Sequence, residues 1–204
     1  MMPEDAKNHL IEIGFNSDKL KKIEFFSEKL LEFNLRYNLI GKSTESIIWS
    51  RHILDSAQIV KYIDFSDNKS LSDLGTGGGF PGIIISIYND NNKFHVKLYE
   101  KSPVKSEFLE NIVKFLDLRS TVVKNDIYSE ILDSEYITAR AFKKIDKIIS
   151  ISRENKRKKH KIIILKGKNA REELNKAFMP SNYSYKLENS MTDRFSKIII
   201  LEAT

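Results

Sequence analysis

The segment SDLGTGGGFPG at residues 72–82 places five of the chain's eight glycines within eight positions, with the carboxylate of Asp73 two residues before the first of them. Glycine at this density lets the backbone turn sharply and lets a ligand approach the main chain closely. Three kinds of nucleotide-like ligand compete for such a turn. A phosphate loop needs Gly, four residues and then Gly-Lys-Ser/Thr. Gly41, Lys42 and Ser43 supply the tail, but Arg36 stands where the first glycine belongs, so that reading fails. A dinucleotide fingerprint is matched by Gly77, Gly79 and Gly82, with Glu100 at a suitable distance to take a ribose hydroxyl.

Asp73 separates the remaining ligands on electrostatic grounds. A carboxylate at the mouth of a pyrophosphate site opposes the anion that a helix N-terminus binds. S-adenosylmethionine instead presents a sulfonium cation and an ammonium group, both of which favour a nearby negative charge. Asp73 therefore favours the methyl donor. On this reading Gly75 and Gly77 offer backbone contact, Glu100 accepts hydrogen bonds from the ribose hydroxyls, and Asp126 meets the adenine edge.

Those residues have to be positioned by a scaffold. From residue 4 to about 65, apolar side chains at Leu10, Ile13, Leu20, Ile23, Phe26, Leu30 and Phe33 recur at helical spacing, with a break at 38–43 and a restored period over 45–60. After a polar linker the rhythm changes to short β-branched runs at 71–74, 94–100, 121–124, 136–139, 161–165, 183–187 and 197–201. Helical stretches separate the first five, which implies a parallel sheet covered on both faces. The last two, joined without a helix, imply an antiparallel hairpin at one edge. The expected architecture is α/β, with an N-terminal helical region at 1–68 and a seven-stranded, mostly parallel sheet domain at 69–204.

Composition sets outer bounds. The formal charge of +6 favours polyanionic partners, and the absence of cysteine excludes disulfides, thiolate metal sites and a cysteine nucleophile. A reducing, cytoplasmic setting is expected, with no membrane span, no metal and no feature that demands more than a monomer.

The chain resembles the bacterial ribosomal small-subunit RNA methyltransferase G family, also called glucose-inhibited division protein B. The motifs that carry this are NLI at 38–40, RHILDS at 51–56, the 72–82 turn with its Phe-Pro-Gly extension, EK at 100–101, KSEFL at 105–109, ARAF at 139–142 and LKGK at 165–168. The resemblance implies a class I S-adenosylmethionine-dependent methyltransferase, Rossmann-like, acting on N7 of a guanine in the decoding-region loop of 16S ribosomal RNA, free or in a small-subunit precursor particle. It marks Gly75 and Phe80 as cofactor contacts, Asp126 and Ile127 as an adenine-side pair, and Arg140 as a binding arginine. The family usually shows Arg-Ala-Glu where this chain has NDI at 125–127, and alanine more often than glycine at position 78.

Guanine N7 offers a lone pair without a proton, so this transfer needs orientation rather than a general base. The chain fits that need: it has no cysteine for covalent attack at a pyrimidine, and TARAF at 138–142 replaces the Pro-Pro-aromatic signature of exocyclic amine methylation. Arg140 can hold guanine O6 or a phosphate, or order the site through an ion pair with Asp73 or Glu100. Arg140→Ala is expected to abolish activity with limited effect on folding. Phe80 can stack on a ligand ring from an exposed position or seal the turn, and His52 can reach RNA or pack internally. Arg51 is a candidate RNA-phosphate contact, and with Asp55 it also has the spacing of a helical ion pair. Lys156, Arg157 and Lys158, in the basic run 153–161, are candidate RNA contacts or a solvated face. Two other readings remain open at this level: a nicotinamide dinucleotide oxidoreductase and a non-catalytic RNA-binding module.

Overall fold

The protein is described by a computed structural model that covers residues 2–204; Met1, the first residue of the expected helical region, lies outside the described residues. Two helices open the chain, α1 (Pro3–Ile13) and α2 (Ser17–Asn34). Pro3 starts α1 at a position where its missing N–H costs nothing, and the Asn16 side chain caps α2 by accepting from the Lys19 N–H. A 3-10 turn (Lys42–Ile47), a π turn (Trp49–Leu54) and the single turn α3 (Asp55–Ala57) follow. The remainder is β1 (Ser70–Leu74), α4 (Gly82–Tyr88), β2 (His95–Tyr99), α5 (Pro103–Phe115), β3 (Ser120–Val123), β4 (Tyr136–Arg140), α6 (Ile145–Arg153), β5 (His160–Lys166), α7 (Ala170–Lys176), β6 (Tyr183–Asn189) and β7 (Lys197–Ala203). Strand and helix alternate except that a 3-10 turn (Ile127–Ser129), and not the expected helical stretch, joins β3 to β4, and β6 runs directly to β7.

The seven strands form one sheet in the order β3-β2-β1-β4-β5-β7-β6. The first five run parallel, and β7 lies antiparallel between β5 and β6, so the final hairpin does close one edge. Period-two alternation assigns the two faces. Leu71, Ile163, Ile198 and Ile200 join α1, α2, α4 and α5 in one cluster that also takes in Phe26, Ile53 and Phe80. Leu74, Ile162, Ile164, Ile199 and Leu201 face α6 and α7 in the other. The N-terminal helices thus share a core with one face of the sheet. No helix among the described residues is long and apolar enough to cross a membrane.

Over 45–60 the period predicts one continuous helix, and the structure winds it differently. The Asp55 N–H passes over the Arg51 carbonyl and bonds to those of Ser50 and His52. The carbonyl so freed accepts instead from Arg140 Nη1 at 3.1 Å. A tertiary hydrogen bond therefore accounts for the wider turn, a kind of irregularity that concentrates at functional sites.

Candidate active site

The glycine-rich turn leaves the carboxyl end of β1, where ligands of open α/β sheets sit. Gly75 has φ +64°, and a Cβ there would fall 2.2 Å from the Phe142 ring; no side chain fits. Above Gly77 the space is open, its nearest neighbour for an added Cβ being the Gly75 carbonyl at 3.9 Å. The main chain at Gly77 is therefore open toward a cleft of about 460 Å³, within the roughly 300–1,000 Å³ typical of small-molecule sites, while Gly75 packs under Phe142 and Thr76 is buried.

Asp73 does not face that cleft, which corrects its expected role as a ligand contact. Its carboxylate is fully buried beneath the turn, where it accepts from the Gly82 N–H at 2.8 Å and the Thr138 hydroxyl at 2.8 Å. Burial pushes its pKa up to about 6, against the opposing pull of these two bonds. Its work is to pin the start of α4 to β1 and β4 and so fix the shape of the turn. No Cβ could be added at Gly82 without meeting Asp73 and Leu98.

Glu100, just past β2, does border the cleft. One carboxylate oxygen accepts from the Gly77 N–H at 3.0 Å and the other from the Ser102 N–H at 2.8 Å. Each oxygen keeps a further lone pair, so the group is held in place with acceptor capacity to spare. Asp126 and Ile127 border the cleft past β3. Asp126 caps the short turn at Ile127–Ser129 by accepting from the Tyr128 N–H, and Lys101 Nζ lies 3.9 Å away.

Arg140, the last residue of β4, closes the opposite side. Its guanidinium does not pair with Asp73 or Glu100. It reaches into the helical region instead, donating to the Arg51 carbonyl, to Asp55 Oδ2 at 3.5 Å and to His52 Nδ1 at 2.7 Å, and its Cζ lies 5.1 Å from the Phe80 ring centroid. Three of its five donors are thus engaged, leaving Nε–H and one hydrogen on Nη2. Since Arg140 must donate, His52 Nδ1 is an acceptor, and its Nε2–H donates to Thr44 Oγ1 at 2.8 Å. Thr44 passes its own proton to the Gly41 carbonyl at 2.7 Å. Burial, together with the Arg140 and Arg51 charges, drives the His52 pKa down to about 3, so the ring is neutral.

This arrangement revises three further expectations. His52 is 9% exposed and holds Arg140, so it packs internally instead of reaching RNA. Arg51 pairs with Asp193 at 3.6 Å, because Asp55 is taken by Arg140, Gln58 and Thr192. Phe80 does border the cleft, as expected of a residue on the cofactor side, but at 2% exposed and wedged between Phe26 and His52 at 5.4 and 5.1 Å it seals the turn instead of standing free to stack. Lys156, Arg157 and Lys158 are exposed at the approach to β5, at the amino end of the sheet and away from the cleft. There Arg157 is paired with Asp133 and Glu135.

Several residues that border the cleft take no site role from the sequence, although some stand in the motifs that carry the family resemblance. Leu39, Ile40 and Gly41 form one wall of the cleft, held there by buried Asn34, whose side chain accepts from the Leu39 and Ile40 N–H groups at 2.7 and 3.0 Å. The break at 38–43 was the available hint. Lys101, Lys105 and Lys143 border the mouth.

A family model described as rRNA small subunit methyltransferase G matches residues 19–197. A protein of Pelagibacter ubique named ribosomal RNA small subunit methyltransferase G is 37% identical over 97% of this chain and 96% of its own length. One of the same name from Orientia tsutsugamushi is 31% identical over 93% of each. Among solved structures, a SAM dependent methyltransferase from Aquifex aeolicus superposes with a TM-score of 0.61 at 12% identity, over 87% of this chain and 98% of that one.

Proposed function

The chain belongs to the rRNA small subunit methyltransferase G family, and from that premise we propose that it transfers the methyl group of S-adenosylmethionine to N7 of a guanine in 16S ribosomal RNA. The observation that carries the reading is the pairing of Glu100 with the Gly77 N–H across the ends of β1 and β2, where the main chain of Gly77 is open to the cleft. A ribose fits against the spare lone pairs of Glu100, the amino-acid portion against Gly75–Gly77, and the adenine beside Asp126 and Ile127. When bound, the donor supplies an electrophilic methyl group.

The chain's own residues do the rest by orientation. Guanine N7 brings its lone pair without a proton, and no base is called for. That agrees with a His52 ring whose Nδ1 is already occupied and an Asp73 sealed beneath the turn. Arg140 can meet guanine through its two unused donors, and the chemistry restricts how. The two-pronged contact to O6 and N7 common in nucleic-acid recognition would tie up the reacting lone pair, so Arg140 must hold O6 and leave N7 free. Holding the acceptor in line and excluding water supplies the acceleration.

Calorimetry with S-adenosylmethionine and with NAD tests the cofactor, and nucleoside analysis of treated small-subunit RNA tests the product. Binding of the first with appearance of N7-methylguanosine is expected. Binding of NAD alone would return the chain to oxidoreductase chemistry, and binding of neither would support the non-catalytic RNA module.

A further inference from the structure

On the far side of Arg140 from the cleft lies a second, smaller pocket of about 120 Å³, bordered by Arg51, Asp55, Arg140, Lys166, Gly167, Ser196 and Lys197 among others. Arg140 and Ala141 border both spaces, so the guanidinium is a partition with the methyl-donor cleft in front and this pocket behind. The volume is too small for a base or nucleoside and suits a single tetrahedral oxyanion.

We propose that this pocket binds a phosphodiester of the RNA substrate, next to the nucleotide being methylated. The proposal rests on the RNA-methylating function put forward above, and it adds the place where the RNA backbone is gripped. Four cationic side chains line the pocket and one carboxylate does. That carboxylate, Asp55, is already satisfied by Arg140, the Gln58 amide at 2.9 Å and the Thr192 hydroxyl at 2.9 Å, so it offers little repulsion to an incoming anion. Lys166 is fixed in the wall by the Lys143 carbonyl at 2.6 Å and by Glu173 at 3.0 Å. Arg51 shares its charge with Asp193 at 3.6 Å. Among the described residues Lys197 donates to a neutral partner, the Asn189 side-chain carbonyl at 2.5 Å, and pairs with no carboxylate.

The position is as informative as the charge. The pocket opens at the carboxyl ends of β4 and β5, on the side of the sheet end where an acceptor must come to meet the donor. At Gly167 an added Cβ would meet nothing within 4 Å, so the main chain there stands clear of neighbouring atoms. A phosphate set behind Arg140 and a base in front of it would hold the target nucleotide from both sides.

The test compares Lys197→Glu and Lys197→Ala with Lys156→Glu, a charge reversal at the amino end of the sheet. Wild type and variants are assayed for methyl transfer to small-subunit RNA, for RNA affinity over a range of salt, and for S-adenosylmethionine affinity. Lys197→Glu is expected to raise the KM for RNA at least tenfold with donor affinity unchanged. Lys197→Ala is expected to lower the slope of log affinity against log salt by about 0.7, the value of one single-strand phosphate contact. Lys156→Glu should do neither. An unchanged KM and salt slope in both Lys197 variants, with the wild type active, overturns the pocket alone. Equal weakening by Lys156→Glu overturns it as well, in favour of diffuse attraction. A wild type that methylates no small-subunit RNA defeats the functional reading instead.

Discussion

Two basic regions sit at opposite ends of one sheet. The run 153–161 packs six lysines or arginines into nine residues and is the densest positive charge in the chain. It lies at the amino end of β5, solvated, with Arg157 neutralised by two carboxylates. The cluster around Arg140 draws one residue from each of four separate segments: Arg51, Arg140, Lys166 and Lys197. None of these stands in a charge run like 153–161, yet they converge at the carboxyl ends of β4 and β5, beside the cleft. Linear charge density reports solvation; convergence of charge on a concave surface reports a site, and only the fold creates it.

The sharpest way to break this contrast is Arg140→Ala. Methyl transfer should be lost, and folding should suffer too, contrary to what the sequence implies, because Asp55 and His52 would be left buried without their partner. The stability loss should be about 3–5 kcal/mol by chemical denaturation, the usual cost of orphaning a buried charge. Arg140→Met combined with Asp55→Asn should regain much of the stability and none of the activity. Recovery of activity in the double variant would strip Arg140 of its role toward substrate.

Next in size, Glu100→Gln should weaken S-adenosylmethionine binding by about 1.5–3 kcal/mol in calorimetry, since one amide oxygen cannot replace two charged acceptors that already hold Gly77 and Ser102. An unchanged affinity would place the ribose elsewhere.

A third effect depends on pH. The Asp73 pKa rises on folding from 3.8 to about 6, so its contribution to stability is greatest below 3.8 and declines as pH rises to 6. The His52 pKa falls from 6.5 to about 3, so its contribution is whole above 6.5 and is lost as pH drops toward 3. Between pH 4 and 6 the two slopes oppose one another. Asp73→Asn should leave the His52 slope uncovered, with stability falling by about 1.4 kcal/mol more per pH unit than in the wild type across that range. Parallel denaturation curves for the two proteins would contradict this pairing.

Smallest of all, joint charge reversal at Lys156, Arg157 and Lys158 should change RNA affinity less than about twofold at physiological salt, where exposed charges a Debye length apart are screened. A larger loss would move the RNA interface toward the amino end of the sheet.

Much of this molecule is legible from residues alone. All seven strands stand where the β-branched runs put them, since each run is bounded by polar or glycine breaks and the five inner strands are buried, while the edge strands β3 and β6 are only partly so. Glu100 and Gly77 were legible as neighbours at one cleft because each follows its own parallel strand. Asp73 was misread for a specific reason: its place before the turn is evident, while the side to which it points depends on the backbone amide of Gly82 curling back over it. The chain Arg140–His52–Thr44–Gly41 was out of reach because its first link joins residues far apart in sequence, and the π turn that makes room for it has the same apolar period as an ordinary helix. Asn34 escaped for a related cause, since a polar residue at a helix end carries no sign of the loop it will staple.

The most direct test of the account is to incubate small-subunit RNA with methyl-labelled S-adenosylmethionine and the wild-type protein or the Arg140→Met, Asp55→Asn variant, then locate the label by nucleoside analysis. Label on guanine N7 with the wild type, and none with the stable but inactive variant, is the predicted result. Label on any other atom, or equal labelling by both proteins, would contradict it.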